Sequence, residues 1–305
     1  MDELQKHLLQ EIADLHEIPE GAYNIRNNGE ALGRRSTENI EIVPKEDKPG
    51  IDIIIKPGTK NESVHIPVIV SQSGLKDLVY NDFYIGKDAD VVIVAGCGIH
   101  CGGDDTTAHD GIHTFHLEAG ARVKYVEKHY GEGEGKGDRI LNPVTNIFQD
   151  EDSYFEMETV QIKGVTSTKR DTKAELKDRA TLIIKEKIMT HEKQYAETNF
   201  DVDLKGEDCR TDVVSRSVAR DESYQIFRSN ILGNNKCYGH SECDGILMDK
   251  GRVVAVPSLD AANLDASLIH EAAIGKIAGE QIIKLMTLGL TEEEAEEQIV
   301  NGFLK

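Results

Sequence analysis

The stretch from Ala95 to Gly120, AGCGIHCGGDDTTAHDGIHTFHLEAG, concentrates residue types that bind soft and borderline metals. Cys97, His100 and Cys101 bring two thiols and an imidazole within five positions, and His109, His113 and His116 follow. Thiolates and imidazoles are the ligands of zinc and of iron–sulfur clusters. The spacing is not that of a zinc finger, and TFHLEAGARVKYV reads as a strand, where the finger requires a helix. On a strand, His113 and His116 face opposite sides. Two readings stay open. One is a metal or cluster site of irregular geometry. The other is a Gly-, Asp- and His-rich loop that closes a turn.

A second group lies in NNKCYGHSECDGILMDKG, with Cys237, His240 and Cys243 inside seven positions. In an extended strand the two thiols share a face, and His240 takes the other unless Gly239 opens a bulge. A third group is His270–Glu271 in HEAAIGK. A zinc protease needs a second His at position 274, where Ile stands, so that chemistry is excluded. His270–Glu271 reads as a polar pair at a helix entrance, where the helix dipole favours Glu271. The Gly-rich GEGEGKGD (131–138) fails as a phosphate loop. Lys136 is followed by Gly137, and its acidic residues repel phosphate. No bound nucleotide and no ATP hydrolysis are expected of this chain.

These residues must be positioned by the elements around them. Leu4, Leu8, Leu9, Ile12 and Leu15 mark an amphipathic helix over residues 3–16. Residues 1–49 read as that helix plus a polar connector. From about residue 50 to 262, short alternating runs such as KDADVVIVAG, KDRATLIIKEKIM and KGRVVAVP recur behind acidic or Gly-bearing turns. Taking Asp88, Gly120, Asp152, Asp178, Asp208, Glu222 and Gly251 as anchors, most separations are near thirty residues, and one is about half that. A period of about 20–50 residues built from period-2 runs predicts a β-solenoid, a parallel β-helix. Residues 263–305 read as helical. Leu268, Ala272, Gly275, Gly279, Ile282, Ile283 and Met286 lie along one side, and Thr291 with Glu294 forms a capping box.

Composition bounds the function. The chain has 305 residues, a net charge of −20 and no Trp. Such an acid balance argues against nucleic acid and against an anionic membrane surface. No basic n-region opens the chain and no apolar run approaches a membrane span, so neither a signal peptide nor a transmembrane segment is expected. Five thinly spread cysteines fit a reducing cytoplasm with thiols kept for chemistry or metal.

The C-terminal text LIHEAAIGKIAGEQIIKLMTLGLTEEEAEEQIVNGFL resembles the C-terminal segment of SufB and SufD, the scaffold subunits of the SUF iron–sulfur cluster assembly system. ECDGIL, with Pro257 downstream, and HDGIHTFHLEAGARVKYVEKHYG resemble other parts of the same family, so that the likeness runs from about residue 50. The resemblance implies a right-handed parallel β-helix with helical ends. It implies a scaffold, not an enzyme, that carries a transient iron–sulfur cluster. Implied partners are a sulfur donor protein, the ABC-type ATPase SufC on the C-terminal helices, and a second solenoid joined at the β-helix edge as a homodimer or a SufB–SufD-type heterodimer. Cys243 matches a family Cys, and His270 and Glu271 match the family's H-E pair beside the assembly site. Cys237 and His240 are nearby candidates. DKGRVVAVP departs from the family by lacking the Cys of a C-G-A-H context. Cys97, His100 and Cys101 are left as an accessory metal or sulfur site. Rival expectations are a metal-dependent β-helix enzyme and a purely structural scaffold. The first sits poorly with 5% aromatic residues and no Trp, because sugar clefts favour aromatic platforms.

Overall fold

The turns that the sequence marks with acidic residues and glycine become the corners of a solenoid. Asp88, Asp152, Asp208 and Asp221 have φ of 58, 60, 57 and 54°, and Gly120 has 71°. Asp tolerates this left-handed conformation better than most residues, and Gly adopts it freely. Successive corners stack through backbone hydrogen bonds. Asp88 N donates to Ala119 O, Gly120 N to Glu151 O, and Asp152 N to Asp178 O.

The computed structural model describes residues 1–305. Helix α1 (Glu3–Ala13) opens the chain. The first strands are β1 (Ala22–Asn27), β2 (Glu30–Arg35), β3 (Ile40–Pro44), β4 (Gly50–Ile55), β5 (Lys60–Val70), β6 (Lys76–Ile85), β7 (Asp90–His100), β8 (Thr107–Leu117), β9 (Arg122–Glu132) and β10 (Arg139–Leu141). Then come β11 (Val144–Gln149), β12 (Tyr154–Lys163), β13 (Ser167–Leu176), β14 (Thr181–Thr190), β15 (Tyr195–Leu204), β16 (Cys209–Ala219), β17 (Tyr224–Gly233), β18 (Cys237–Leu247), β19 (Arg252–Ala261) and β20 (Ala266–Gly275). Helices α2 (Gly279–Met286) and α3 (Glu292–Phe303) close it.

Strands alternate between two parallel sheets and make about eight turns. One sheet runs β5-β7-β9-β12-β14-β16-β18-β20, the other β19-β17-β15-β13-β10-β8-β6-β4. Register partners Asp90, Arg122, Tyr154, Thr181, Arg210, Tyr238 and Ser267 fix the coil at 27 to 32 residues, which is the period the turns announce. The half-period step from Asp208 to Glu222 crosses from one corner of a coil to the opposite one.

The lumen is packed with aliphatic and aromatic side chains. Phe83 stacks on Phe115 at 4.3 Å, and Phe115 meets Phe155 at 4.9 Å. A buried polar ladder crosses this core. His113 Nδ1 lies 2.7 Å from Tyr125 Oη, which donates to Glu127 Oε1 at 3.0 Å. Arg170 pairs with Glu127 and lies 3.9 Å from Glu186, and Ser215 donates to Glu186 at 2.7 Å.

Two expectations about the chain ends are corrected. Residues 17–49 are not mere connector: β1, β2 and β3 lie there, and β1 joins the main sheet against β5. The last forty residues are not all helical. Residues 266–275 form β20, ten residues in register with β18, so the solenoid runs to Gly275 and not to 262. Only α2 and α3 are helical there. Ala, Glu and Ile suit a helix, but the open edge of β18 offers a complete ladder of backbone hydrogen bonds, and tertiary pairing overrides propensity.

Helix α1 lies on the outer face of the sheet over β7. Leu8, Leu9, Ile12 and Ala13 are buried there. Gly96 and Gly98 make the seat: a Cβ on Gly96 would meet Ile12 O at 2.5 Å, and one on Gly98 would meet Leu8 at 3.2 Å. The Gly-Cys-Gly of the opening motif is thus first a helix seat.

Candidate metal and cluster site at the C-terminal end

The pleat of β18 and β20 sorts the candidate residues onto two faces. Cys237, Ser241 and Cys243 point into the lumen, while His240, Glu242 and Asp244 point out. There is no bulge at Gly239, so His240 stays opposite the thiols. On β20, His270 is in register with Ser241 and shares its inward side, whereas Glu271 is in register with Glu242 and shares its outward side. The five candidates therefore form an inner set of Cys237, Cys243 and His270, and an outer set of His240 and Glu271. His270 and Glu271 sit on a strand, not at a helix entrance, so no helix dipole acts on Glu271.

The inner set is at the uncovered end of the solenoid. Leu259 occupies the lumen position in register with Ile231, yet it is 37% exposed where Ile231 is fully buried. Both sheets end here with unpaired edges, β19 and β20. Burial pushes the Cys243 thiol up to about 12, helped by the negative charges of Glu186 and Asp244. Burial also raises Cys237. Cys243 is thus a neutral thiol at physiological pH, and a metal must displace its proton to bind. The Nδ1 atom of His270 is buried and has no hydrogen-bond partner. Buried polar atoms are nearly always satisfied, so an orphan at an open end calls for a ligand.

The outer set gains a member that sequence spacing did not single out. His240, Glu242 and Glu271 place one ligand atom each within 4.8 Å of one another. His240 Nδ1 lies 2.8 Å from Asp212 Oδ1, which leaves Nε2 free. Burial raises the Glu242 carboxyl, and the neighbouring Asp244 adds to it.

The opening cluster comes apart. Cys97 faces the lumen beside His109, His113, Glu127 and His129. His100 faces outward, with Nδ1 3.3 Å from Glu132. Cys101 is buried beneath the next loop and donates to Gly103 O. The three do not converge on one point, and His116 is stacked on the outside between Tyr84 and Phe148. The accessory site drawn from Cys97, His100 and Cys101 is therefore not a single centre. Burial, with the charges of Asp77 and Glu127, raises the Cys97 thiol.

The profile of the family described as SUF system FeS cluster assembly, SufBD core domain, matches residues 80–303. This chain belongs to the SufBD family. An iron–sulfur cluster assembly SufBD family protein of Methanothermobacter thermautotrophicus is 28% identical over 84% of this chain and 62% of its own length. One from Archaeoglobus fulgidus is 29% identical over 90% of this chain and 73% of its own length. The iron–sulfur cluster assembly protein SufB of Bacillus subtilis is 35% identical over 97 residues, 30% of this chain and 21% of its own length. The chain thus spans about three fifths to three quarters of the two archaeal relatives.

The chain carries the SufBD core domain of its family on a solenoid. Its buried ladder of Tyr125, Glu127, Arg170 and Glu186 escaped sequence reasoning because Glu127 and Arg170 are 43 residues apart. Only the coil register brings such residues together. No helix is long and apolar enough to cross a membrane.

Proposed function

We propose that this chain assembles a labile iron–sulfur cluster at the uncovered end of its solenoid and passes it on, as a cytoplasmic scaffold without enzymatic activity of its own. The observation that carries this reading is the inner set: Cys243 and the orphaned Nδ1 of His270 face the same lumen on the last two rungs of one sheet. Iron and sulfide are the cargo here. A site with few thiolates and a supporting imidazole suits a cluster that must leave again.

The open end supports a partner. Unpaired β19 and β20 edges and exposed Leu259 and Ile274 suit a second solenoid of the same kind, which would cover the end of the lumen beyond His270. Helix α2 buries no residue, and Ile283 and Met286 are 62% and 43% exposed, which suits docking of an ABC-type ATPase such as SufC. Only Lys276–Ala278 separate β20 from α2. In this reading, closure of the ATPase pulls on β20 as a strand, loosens its pairing with β18 and exposes Cys243. A sulfur donor protein would act on the opened end.

Anaerobic reconstitution of the full chain with ferrous iron and sulfide tests the reading. The chain should gain visible charge-transfer absorbance. Cys243→Ser should lose at least nine tenths of it, and Cys97→Ser should keep it. Equal yields from all three proteins would contradict the assignment.

A further inference from the structure

One buried thiol has no part in cluster assembly as read above. Cys209 is the first residue of β16, faces the lumen and is 1% exposed. Cys237 is the first residue of β18, and the two are register partners on neighbouring coils. Both belong to the same apolar core, and both are free thiols. Hydrogen-bonded strands lie about 4.7–4.9 Å apart, so partners on one face have their Cα atoms inside the span of roughly 4.4–6.8 Å that a disulfide bridges. Cys243 cannot take the place of Cys209. It stands six residues along the same strand as Cys237, about 20 Å away.

The surroundings leave the two sulfurs free to meet. Cys209 Sγ donates to Gly206 O at 3.1 Å, a contact that rotation of the side chain releases. Gly233 keeps the space beside Cys237 open, because a Cβ there would lie 3.1 Å from Cys237 Sγ. Burial pushes the Cys209 thiol up to about 12, and the next cause is the charge of Cys237, so each sulfur lies within the other's field. The two differ in access. Only β20 lies between β18 and the open end of the sheet, and its residue in register with Cys237 is the small Ala266. Cys209 lies one coil deeper. A small oxidant entering from the open end reaches Cys237 first.

We propose that Cys209 and Cys237 form a redox latch: oxidation joins their sulfurs, closes one coil of the solenoid into a covalent ring and withdraws Cys237 from the inner set. Hydrogen peroxide oxidises the Cys237 thiol to a sulfenic acid and releases one water. The Cys209 sulfur then attacks the Cys237 sulfur, and the sulfenic oxygen leaves with the Cys209 proton as a second water. Two thiols lose two electrons and two protons, and the peroxide is reduced to two waters. A dithiol reductant reverses the bond by exchange. The ring fastens β18, the strand that carries Cys243, to the coil beneath it. The latch itself rests on the register of β16 and β18; only the loss of a cluster ligand rests on the cluster-assembly reading.

The test treats the reduced full chain with hydrogen peroxide in dilute solution, without iron or sulfide. Free thiols counted by alkylation should fall by two from five. Peptide mapping should find Cys209 joined to Cys237 within one molecule. The thermal midpoint should rise by roughly 5 °C, because the bond closes a loop of one coil, and should return with dithiothreitol. Cys209→Ala and Cys237→Ala should each show no shift of the midpoint with peroxide. The oxidised and reduced parent carry the test even where a variant fails to fold. Absence of the linked peptide, a link found only between molecules, or a midpoint that does not rise on oxidation overturns the proposal. Cluster formation is not among these readouts. A linked pair in a chain that builds no cluster leaves the latch standing and removes the cluster-assembly reading. A Cys243-dependent cluster in a chain whose pair stays reduced removes the latch alone.

Discussion

At the scale of single residues, the interior of this solenoid holds titratable groups whose environments decide their charge. Burial works to raise the Glu127 carboxyl, but Arg170 and His129 outweigh it and hold that carboxyl well below the ordinary range. Burial lowers the His113 imidazole to about 4, against the opposing pull of Glu127. The unfolded chain takes up a proton at His113 near 6.5, while the folded chain refuses it until about 4. Stability is therefore full above that window and falls as pH drops through it, by on the order of 3 kcal/mol from this residue. Denaturation midpoints measured from pH 7 to pH 4 should fall less steeply in His113→Gln than in the parent; parallel profiles would contradict this. The same scale shows what sequence could say. The six-residue spacing of Cys237 and Cys243 placed both thiols on one face, and His240 on the other, because the pleat has a period of two. Glu242 could have been found by the same rule, as the next outward residue after His240, had the partner Glu271 been recognised as a strand residue.

At the scale of elements, α1 and α2 make opposite use of their apolar sides. Helix α1 is seated on β7 by two glycines, and its buried Leu and Ile side chains contribute about 1.5–3 kcal/mol each. Gly96→Val should cost about 1–3 kcal/mol, since the new side chain meets the backbone carbonyls of Ile12 and Lys128. Urea denaturation of that variant checks it, and an unchanged midpoint would remove α1 from its seat over Gly96. Helix α2, by contrast, touches α3 but leaves Ile283 and Met286 exposed. Ile283→Asp combined with Met286→Asp should leave the thermal midpoint within a degree or two, yet abolish co-purification with an ABC-type ATPase. Retained co-purification would move the docking surface elsewhere. Strand β20 is where sequence and structure part. Its helical periodicity continues into α2, and Gly275 and Gly279 fall on the repeating side of that pattern, so the periodicity does not mark the switch. The deciding term is the long-range pairing with β18, which a local pattern does not carry.

At the scale of the whole molecule, the solenoid was legible because its corners repeat. Each coil needs left-handed residues at its turns, and the chain supplies Asp or Gly at many of them. The coil length varies between 27 and 32 residues, which blurs the repeat without breaking the register. An uncapped end is the cost of this architecture, since β19 and β20 have no next rung. Sedimentation should show a dimer that Leu259→Asp with Ile274→Asp converts to monomer; a monomeric parent at all concentrations would leave the end uncovered by a second copy. The open end also collects the chemistry, with thiols and His270 inside and His240 with two carboxylates outside. The most direct test of the account is Mössbauer spectroscopy of the full chain after anaerobic reconstitution with iron and sulfide, compared with Cys243→Ser. The account predicts a sulfur-ligated cluster in the parent and none in Cys243→Ser. The same cluster spectrum in both proteins would contradict it.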